Sequence, residues 1–207
     1  MHLLHVESSP RKTRSASNEI ALAFVNEWSA RHPGATVDTL DVWETDLPPF
    51  DGEAIDAKYA GLTGQPLSPR QQEAWDGIRT LADRFHKADI IVFGVPMWNF
   101  GIPYRLKHLI DAISQKDVLF TFDDRGLLGL LGGRKVVTVA TRGVALGEGF
   151  PREEFDYQTA YMDAWCRMVG ITDISHIEAE KTLYGPEQDT ASRAAACDAA
   201  KALATTI

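Results

Sequence analysis

The sequence predicts an α/β fold, a doubly wound five-stranded parallel sheet with helices on both faces. Three observations predict it. Short apolar or alternating runs are interleaved along the whole chain with longer segments of helical period, and no internal repeat is present. The run Ile90–Val95 is apolar at every position, as a strand buried on both faces of a parallel sheet is. Loops rich in hydroxyls, aromatics or glycine follow three of the strands, at the carboxyl ends where open α/β sheets hold ligands.

A chain of 207 residues suits a single domain over 1–207 with enough core to need no cross-links. Cys166 and Cys197 have no metal-ligand spacing and read as core or surface residues of a reducing compartment. The start, Met1-His2-Leu3-Leu4-His5-Val6, is already strand-like rather than a leader, so a cytoplasmic location is expected. No apolar run approaches the roughly 20 residues that span a bilayer. A net charge of -8 speaks against a nucleic-acid partner.

In order, Leu3–Val6 is the first strand. The loop Glu7–Asn18 follows, and Ile20, Leu22, Phe24, Val25 and Trp28 mark a helix closed by His32-Pro33-Gly34. Thr36–Val42 alternates as the second strand, ended by Asp46-Leu47-Pro48-Pro49-Phe50. Asp51–Gly61 is a short helix, Gly61–Pro69 a flexible-looking connector, and Gln71–Ala88 a helix that feeds the central strand, Ile90–Val95. Pro96 withholds a ladder N–H and stops that strand; Pro103 opens the next helix, with Leu106, Leu109, Ile110 and Ile113 on one face. Val118, Phe120 and Phe122 alternate as a small ribbon, too short to stand alone, which packs on a second subunit or on the domain's own helices. Lys135–Thr141 is the fourth strand, Glu153–Val169 a helix, Ile171–Ala179 the fifth strand and Glu187–Ala204 a final helix.

The first loop brings Ser9, Ser15 and Ser17 together with Arg11, Lys12 and Arg14 before a helix N-terminus, whose free N–H groups and dipole favour an anion. Ser15 or Ser17 acting only as a helix cap is the alternative, and both readings stand. The glycines of the Rossmann and P-loop patterns are missing. The second loop, Met97-Trp98-Asn99-Phe100-Gly101, either stacks on a flat ligand or plugs the top of the sheet. The third, Thr141-Arg142-Gly143-Val144, lets backbone approach a ligand closely. The histidines share no metal-site spacing, so no metal is expected, and His5, His86, His108 and His176 read as structural or exposed. The acidic residues Asp41, Glu44 and Asp46 follow the second strand, the wrong place for a phosphoacceptor, and Ser8-Ser9-Pro10 is not a nucleophile elbow.

Loops after strands one, three and four meet at the switch point of a flavodoxin-like sheet of order 2-1-3-4-5, where that fold holds FMN. The chain resembles the FMN-dependent NADH-azoreductases and quinone reductases. The matching residues are Ser8-Ser9 with Ser15-Ala16-Ser17-Asn18, Pro96 to Phe100 with Ile102-Pro103 and Leu106-Lys107, Thr121-Phe122, Gly133-Arg134-Lys135, Thr141-Arg142-Gly143, Gly170-Ile171-Thr172 and Tyr184-Gly185-Pro186-Glu187.

The resemblance implies a homodimer with one FMN per subunit. NADH or NADPH reduces the flavin, and a quinone or azo compound then oxidises it. It implies phosphate and ribityl contacts from Ser9, Ser15, Ala16 and Ser17, ring contacts from Met97, Trp98, Asn99 and Phe100, and an opposite edge of Thr141, Arg142, Gly143 and Val144. Phe120 and Phe122 would wall the substrate pocket across the dimer. Three positions depart from the family: Trp98 stands where Tyr is common, Val144 where a second Gly is, and Ala145-Leu146 where a His or Tyr often lies. No proton-relay residue is therefore carried over, and no catalytic side chain is assigned. A flavodoxin-like electron carrier without acceptor turnover is the rival reading.

Overall fold

The computed structural model describes the backbone of residues 1–207 and every side chain except those of 61–63, so the Gly61 end of the expected connector lies outside the described side chains. In chain order the elements are β1 (His2–Glu7), a 3₁₀ turn (Lys12–Arg14), α1 (Ala16–Arg31), β2 (Thr36–Asp41), α2 (Gly52–Thr63), α3 (Pro69–Lys87), β3 (Ile90–Pro96) and α4 (Tyr104–Ile113). There follow β4 (Phe120–Asp123), β5 (Gly126–Gly129), β6 (Lys135–Thr141), α5 (Arg152–Phe155), α6 (Tyr157–Met168), β7 (Asp173–Ala179) and α7 (Pro186–Ala204).

Five strands form one parallel sheet in the order β2-β1-β3-β6-β7, while β4 and β5 make a separate antiparallel hairpin. With the hairpin set aside, this is the expected 2-1-3-4-5. Side chains alternate across each strand, so one strand serves two cores. Leu3, Val92, Val137 and Val139 pack under α1 and α7 against Ile20, Phe24, Trp28, Ala196 and Ala200. Leu4, Val6, Ile91, Phe93 and Val136 pack under α3, α4 and α6 against Phe85, Leu106, Leu109, Met162 and Trp165. Each such fully buried large apolar side chain contributes roughly 1.5–3 kcal/mol relative to exposure.

Strand β3 is the middle strand of the sheet, and Gly94 lets α1 close on it. A Cβ there would lie 3.1 Å from the Ser17 carbonyl oxygen, so the helix N-terminus sits directly against the central strand. At the far end of β3, Pro96 pairs in register with Thr141 and the ladder stops.

The structure differs from the sequence expectations in identifiable ways. The helix expected over Glu153–Val169 is two helices, α5 and α6. Asp156 between them (φ -87°, ψ 70°) caps α6 by accepting from the Thr159 N–H, which a mid-helix aspartate could not do, and also pairs with Arg142. Helix α3 begins at Pro69 rather than Gln71, because Ser68 and Gln71 form a capping box around a first-turn proline. Pro103 is the N-cap of α4 instead of lying inside its first turn.

The hairpin is rooted at the amino-terminal end of the sheet. Leu131 N–H donates to Val169 O at 2.7 Å and His86 Nε2 to Val118 O at 2.7 Å, at the C-terminal ends of α6 and α3, the ends that deliver the chain into β7 and β3. Its outer surface exposes Phe122, Leu127 and Leu128. No helix among the described residues is long and apolar enough to cross a membrane.

Candidate functional site

The first loop is built as a helix cap with donors to spare. Ser15 Oγ accepts from the Asn18 N–H at 3.3 Å, and Ser15 O accepts from the Glu19 N–H at 3.0 Å. That leaves the N–H groups of Ala16 and Ser17 without a partner inside α1. Ser15 and Ser17 share a hydroxyl contact of 3.1 Å, so one of the two still has its proton to give. Ser9 Oγ accepts weakly from the Arg11 N–H at 3.4 Å, which leaves its own O–H free. Ser15 is therefore a helix cap, and Ser17 turns its buried hydroxyl toward Ser15 rather than outward.

At the root of this loop, Asn18 Nδ2 donates to Glu7 at 3.1 Å. Burial and the nearby Asp41 push the Glu7 carboxyl up, with Lys12 pulling the other way. Lys12 is itself held by Asp41 and Glu44, so it belongs to the β2 side of the loop.

The second loop is a tight reversal. Trp98 and Gly101 exchange two backbone hydrogen bonds of 3.0 Å, and Asn99 (φ 48°) and Phe100 (φ 67°) between them both lie in the left-handed region, as in a type I′ turn. The Phe100 ring packs at 4.8 Å from Phe155 and 5.6 Å from Phe150, two residues the sequence reading did not select. Trp98 lies 5.9 Å from Trp43 and 6.2 Å from Tyr104, and the Trp43 indole N–H donates to Ser8 O at 2.9 Å. The first and second loops are thereby joined through Trp43, which sits just after β2.

The third loop is tied to both neighbours. Met97 N–H donates to Thr141 O at 2.8 Å. Leu183 N–H, after β7, donates to Gly143 O at 3.2 Å, and a Cβ on residue 143 would fall 2.6 Å from Leu183 Cδ1, so a larger residue there would push the exposed Leu183 side chain aside. Arg142 departs from expectation. Its side chain is buried away from the loop surface among Gln158, Asp156, Thr159 and Glu180, and its backbone N–H and O are taken by Ala179 and Thr182.

Between the three loops lies a cleft of about 230 Å³ lined by Ser9, Arg11, Ser15, Ala16, Pro96, Met97, Trp98, Thr141, Gly143, Thr182, Leu183 and Arg193. Of the expected ligand residues, Ser9, Ser15, Ala16, Met97, Trp98, Thr141 and Gly143 meet there. Ser17, Asn99, Phe100, Arg142 and Val144 do not line it, Ser17 and Arg142 being buried and Asn99 exposed elsewhere, and Phe120 and Phe122 lie at the other end of the sheet. Thr182, Leu183 and Arg193 were not selected, because they come from the segment after β7 and from α7, remote in sequence from every loop motif.

No carboxylate is among the described residues that line the cleft. One end offers helix N–H groups, serine hydroxyls and Arg11, and the other the apolar faces of Met97, Trp98 and Leu183. Arg193 is neutralised by Asp189 and Glu19. Larger hollows lie elsewhere, of about 740 Å³ beside α1, about 710 Å³ between α4 and α6 and about 500 Å³ between the first loop and α7. The smaller cleft is the better site, since only there do the carboxyl ends of neighbouring strands and unpartnered donors converge. A flavin mononucleotide fits this donor set: a phosphate at the α1 N-terminus and a flat ring against Met97 and Trp98.

These features define a flavodoxin-like protein, and residues 1–204 match the family described as having a flavodoxin-like fold. The chain is 53% identical over 207 residues to FMN-dependent NADH:quinone oxidoreductase 2 of Pseudomonas syringae pv. tomato, covering 100% of this chain and 99% of that one. It is 48% identical to FMN-dependent NADH:quinone oxidoreductase 9 of Burkholderia lata, covering 99% and 98%. Among solved structures, an azoreductase from Bacillus anthracis str. Sterne superposes over 100% of both chains with a TM-score of 0.90 at 25% identity. The chain belongs to the flavodoxin-like family of FMN-dependent NADH:quinone oxidoreductases.

Proposed function

We propose that this single-domain chain is an FMN-dependent oxidoreductase that takes electrons from NADH and passes them to quinones, with azo compounds as further acceptors, in a homodimer with one FMN per subunit. The observation that carries this reading is the polarity of the cleft, whose anion-seeking end meets an apolar, aromatic end without a carboxylate in a chain of net charge -8.

FMN, when bound, supplies the two-electron chemistry, accepting hydride from the nicotinamide and returning it to the acceptor. The chain's residues bind and orient. The N–H groups of Ala16 and Ser17 and the hydroxyls of Ser9 and Ser15 hold the phosphate at a dipole end that favours negative charge. Charge-assisted hydrogen bonds are worth roughly 1.5–3 kcal/mol each, so three or four outweigh several kcal/mol of association cost. Met97 and Trp98 present an apolar wall to the ring, while Asn99, Phe100 and Arg142 set the positions of the residues that touch it. Ala145 and Leu146 are buried, and the cleft lining holds no histidine or carboxylate to relay a proton.

An apolar wall discriminates weakly between flat acceptors, which suits both quinones and azo compounds. A cleft of about 230 Å³ is too small to enclose such a ligand by itself. A second chain closes it in this reading, with the exposed Phe122 of the hairpin as the reaching element.

The test is anaerobic. Apo-protein reconstituted with FMN is treated with NADH and then with a benzoquinone while the flavin absorbance is followed. Bleaching and full recovery over repeated cycles is the expected result. Bound flavin that NADH does not bleach would make the chain an electron carrier, and no flavin binding would remove FMN from the cleft.

A further inference from the structure

The cleft keeps its shape only if the carboxyl ends of β3, β6 and β7 stay at fixed separation, and one buried polar cluster touches all three. Gln158 on α6 is fully buried. Its Nε2 donates to Val95 O at 2.8 Å, one residue before β3 ends, and its Oε1 accepts from Arg142 Nε at 3.0 Å. Arg142 follows the end of β6 and is 1% exposed. Its Nη1 lies 2.9 Å from Glu180, just beyond the end of β7, and 3.1 Å from Glu178, one residue before that end, and its Nη2 lies 3.0 Å from Asp156 and 2.9 Å from Thr159. Five guanidinium donors therefore face five acceptors on two stretches of chain, the start of α6 and the end of β7.

Glu178 shows how the charges balance. Burial pushes its carboxyl up, but Arg152 and Arg142 outweigh burial and hold it below the usual range. Arg152, on α5, closes the cluster from outside through Glu178 and Glu180.

We propose that Arg142 and Gln158 are positioning residues for the cleft. They fix the gap between the Met97–Trp98 wall and the Thr141–Gly143 and Leu183 edge, and so set how tightly the flavin is held without touching it. This rests on the FMN reading above. The residue types follow from the geometry. A lysine at 142 is a point donor and cannot span the start of α6 and the end of β7 at once. A glutamate at 158 keeps an acceptor for Arg142 but sets a carboxylate against the Val95 carbonyl oxygen, so it removes the donor to β3.

Gln158→Glu is therefore the decisive variant, with Arg142→Lys beside it and Arg152→Gln as the control that weakens the cluster from outside but leaves the Arg142–Gln158–Val95 chain intact. Each apo-protein is titrated with FMN by flavin fluorescence well below its own melting temperature, and the visible circular dichroism of the bound flavin is recorded. Gln158→Glu and Arg142→Lys should bind FMN at least tenfold more weakly, with an altered visible dichroism, whereas Arg152→Gln should lower the melting temperature and bind FMN within twofold of wild type. Wild-type affinity and dichroism in Gln158→Glu, whatever its melting temperature, would reduce the cluster to a stabilising device. A wild type that binds no FMN would overturn the cofactor reading and this inference together, a pattern distinct from unchanged binding in the variant.

Discussion

His5 is the residue whose chemistry is least at ease in this fold. It is fully buried on β1, neither ring nitrogen has a hydrogen-bond partner, and Nδ1 lies 3.7 Å from Glu7. Burial lowers its pKa from the usual 6.5 to about 4, against an opposing pull from Asp41. Below the usual value the unfolded chain takes up a proton that the native state refuses, so stability falls as pH drops from about 6.5 towards 4. The full loss is about 3 kcal/mol at 1.36 kcal/mol per pH unit. Glu7 runs the other way. Its raised carboxyl lets the native state protonate first, so acidification through that range stabilises. His5→Leu removes the first effect and keeps the second. The urea midpoint of the variant should fall less between pH 7 and pH 5 than that of wild type, and an equal fall would clear His5 of the acid sensitivity. The sequence alone could not separate a buried from an exposed histidine here, because a strand's period assigns a face but not its cover.

The Trp98–Gly101 reversal shows the same limit at the scale of an element. Its place between β3 and α4 was legible from Pro96 and the apolar run before it. Its shape was not, since Asn-Phe is not a turn signature and the partners that make it tolerable, Phe150 and Phe155, stand some 50 residues away. Asparagine accepts a left-handed conformation readily, but phenylalanine at φ 67° costs about 1–3 kcal/mol. Each aromatic contact returns about 0.5–1.5 kcal/mol beyond its buried area. Removing the ring in two ways separates these terms. Phe100→Ala loses the packing and keeps the backbone cost, while Phe100→Gly loses the packing and relieves it. The glycine variant should therefore be the more stable of the two by about 1 kcal/mol in thermal melts, the reverse of the usual ranking; an alanine variant at least as stable would mean that the turn carries no strain. The break at Asp156 was hidden for a related reason. Helical period continues across it, and only the cap bond from Thr159, on an aspartate also held by Arg142, shows why a new helix starts there.

At the scale of the whole molecule, strand order and the two-sided core followed from apolar runs and periodicity, which are local. The closure of the cleft by Thr182, Leu183 and Arg193, and the rooting of the hairpin at the opposite end of the sheet, depend on how α6 and α7 cross it and are not written in any window of sequence. That hairpin holds Phe122 at 56% exposure with Leu127 and Leu128 beside it, on a chain whose proposed cleft, at about 230 Å³, is small for its ligand. If a second copy covers both, folding, pairing and cofactor binding are linked. FMN at 100 times its Kd stabilises the native state by about 2.7 kcal/mol. At about 2–4 °C per kcal/mol for a chain of this size, the melting temperature should rise by about 5–11 °C. In a linked dimer that temperature should also climb with protein concentration. Phe122→Asp places a charge on the hairpin without touching the cleft of its own chain. It should lower the dimer fraction in sedimentation equilibrium, flatten the concentration dependence and shrink the FMN-induced rise together. A dimer lost with the full FMN rise retained would mean that each chain holds its flavin alone.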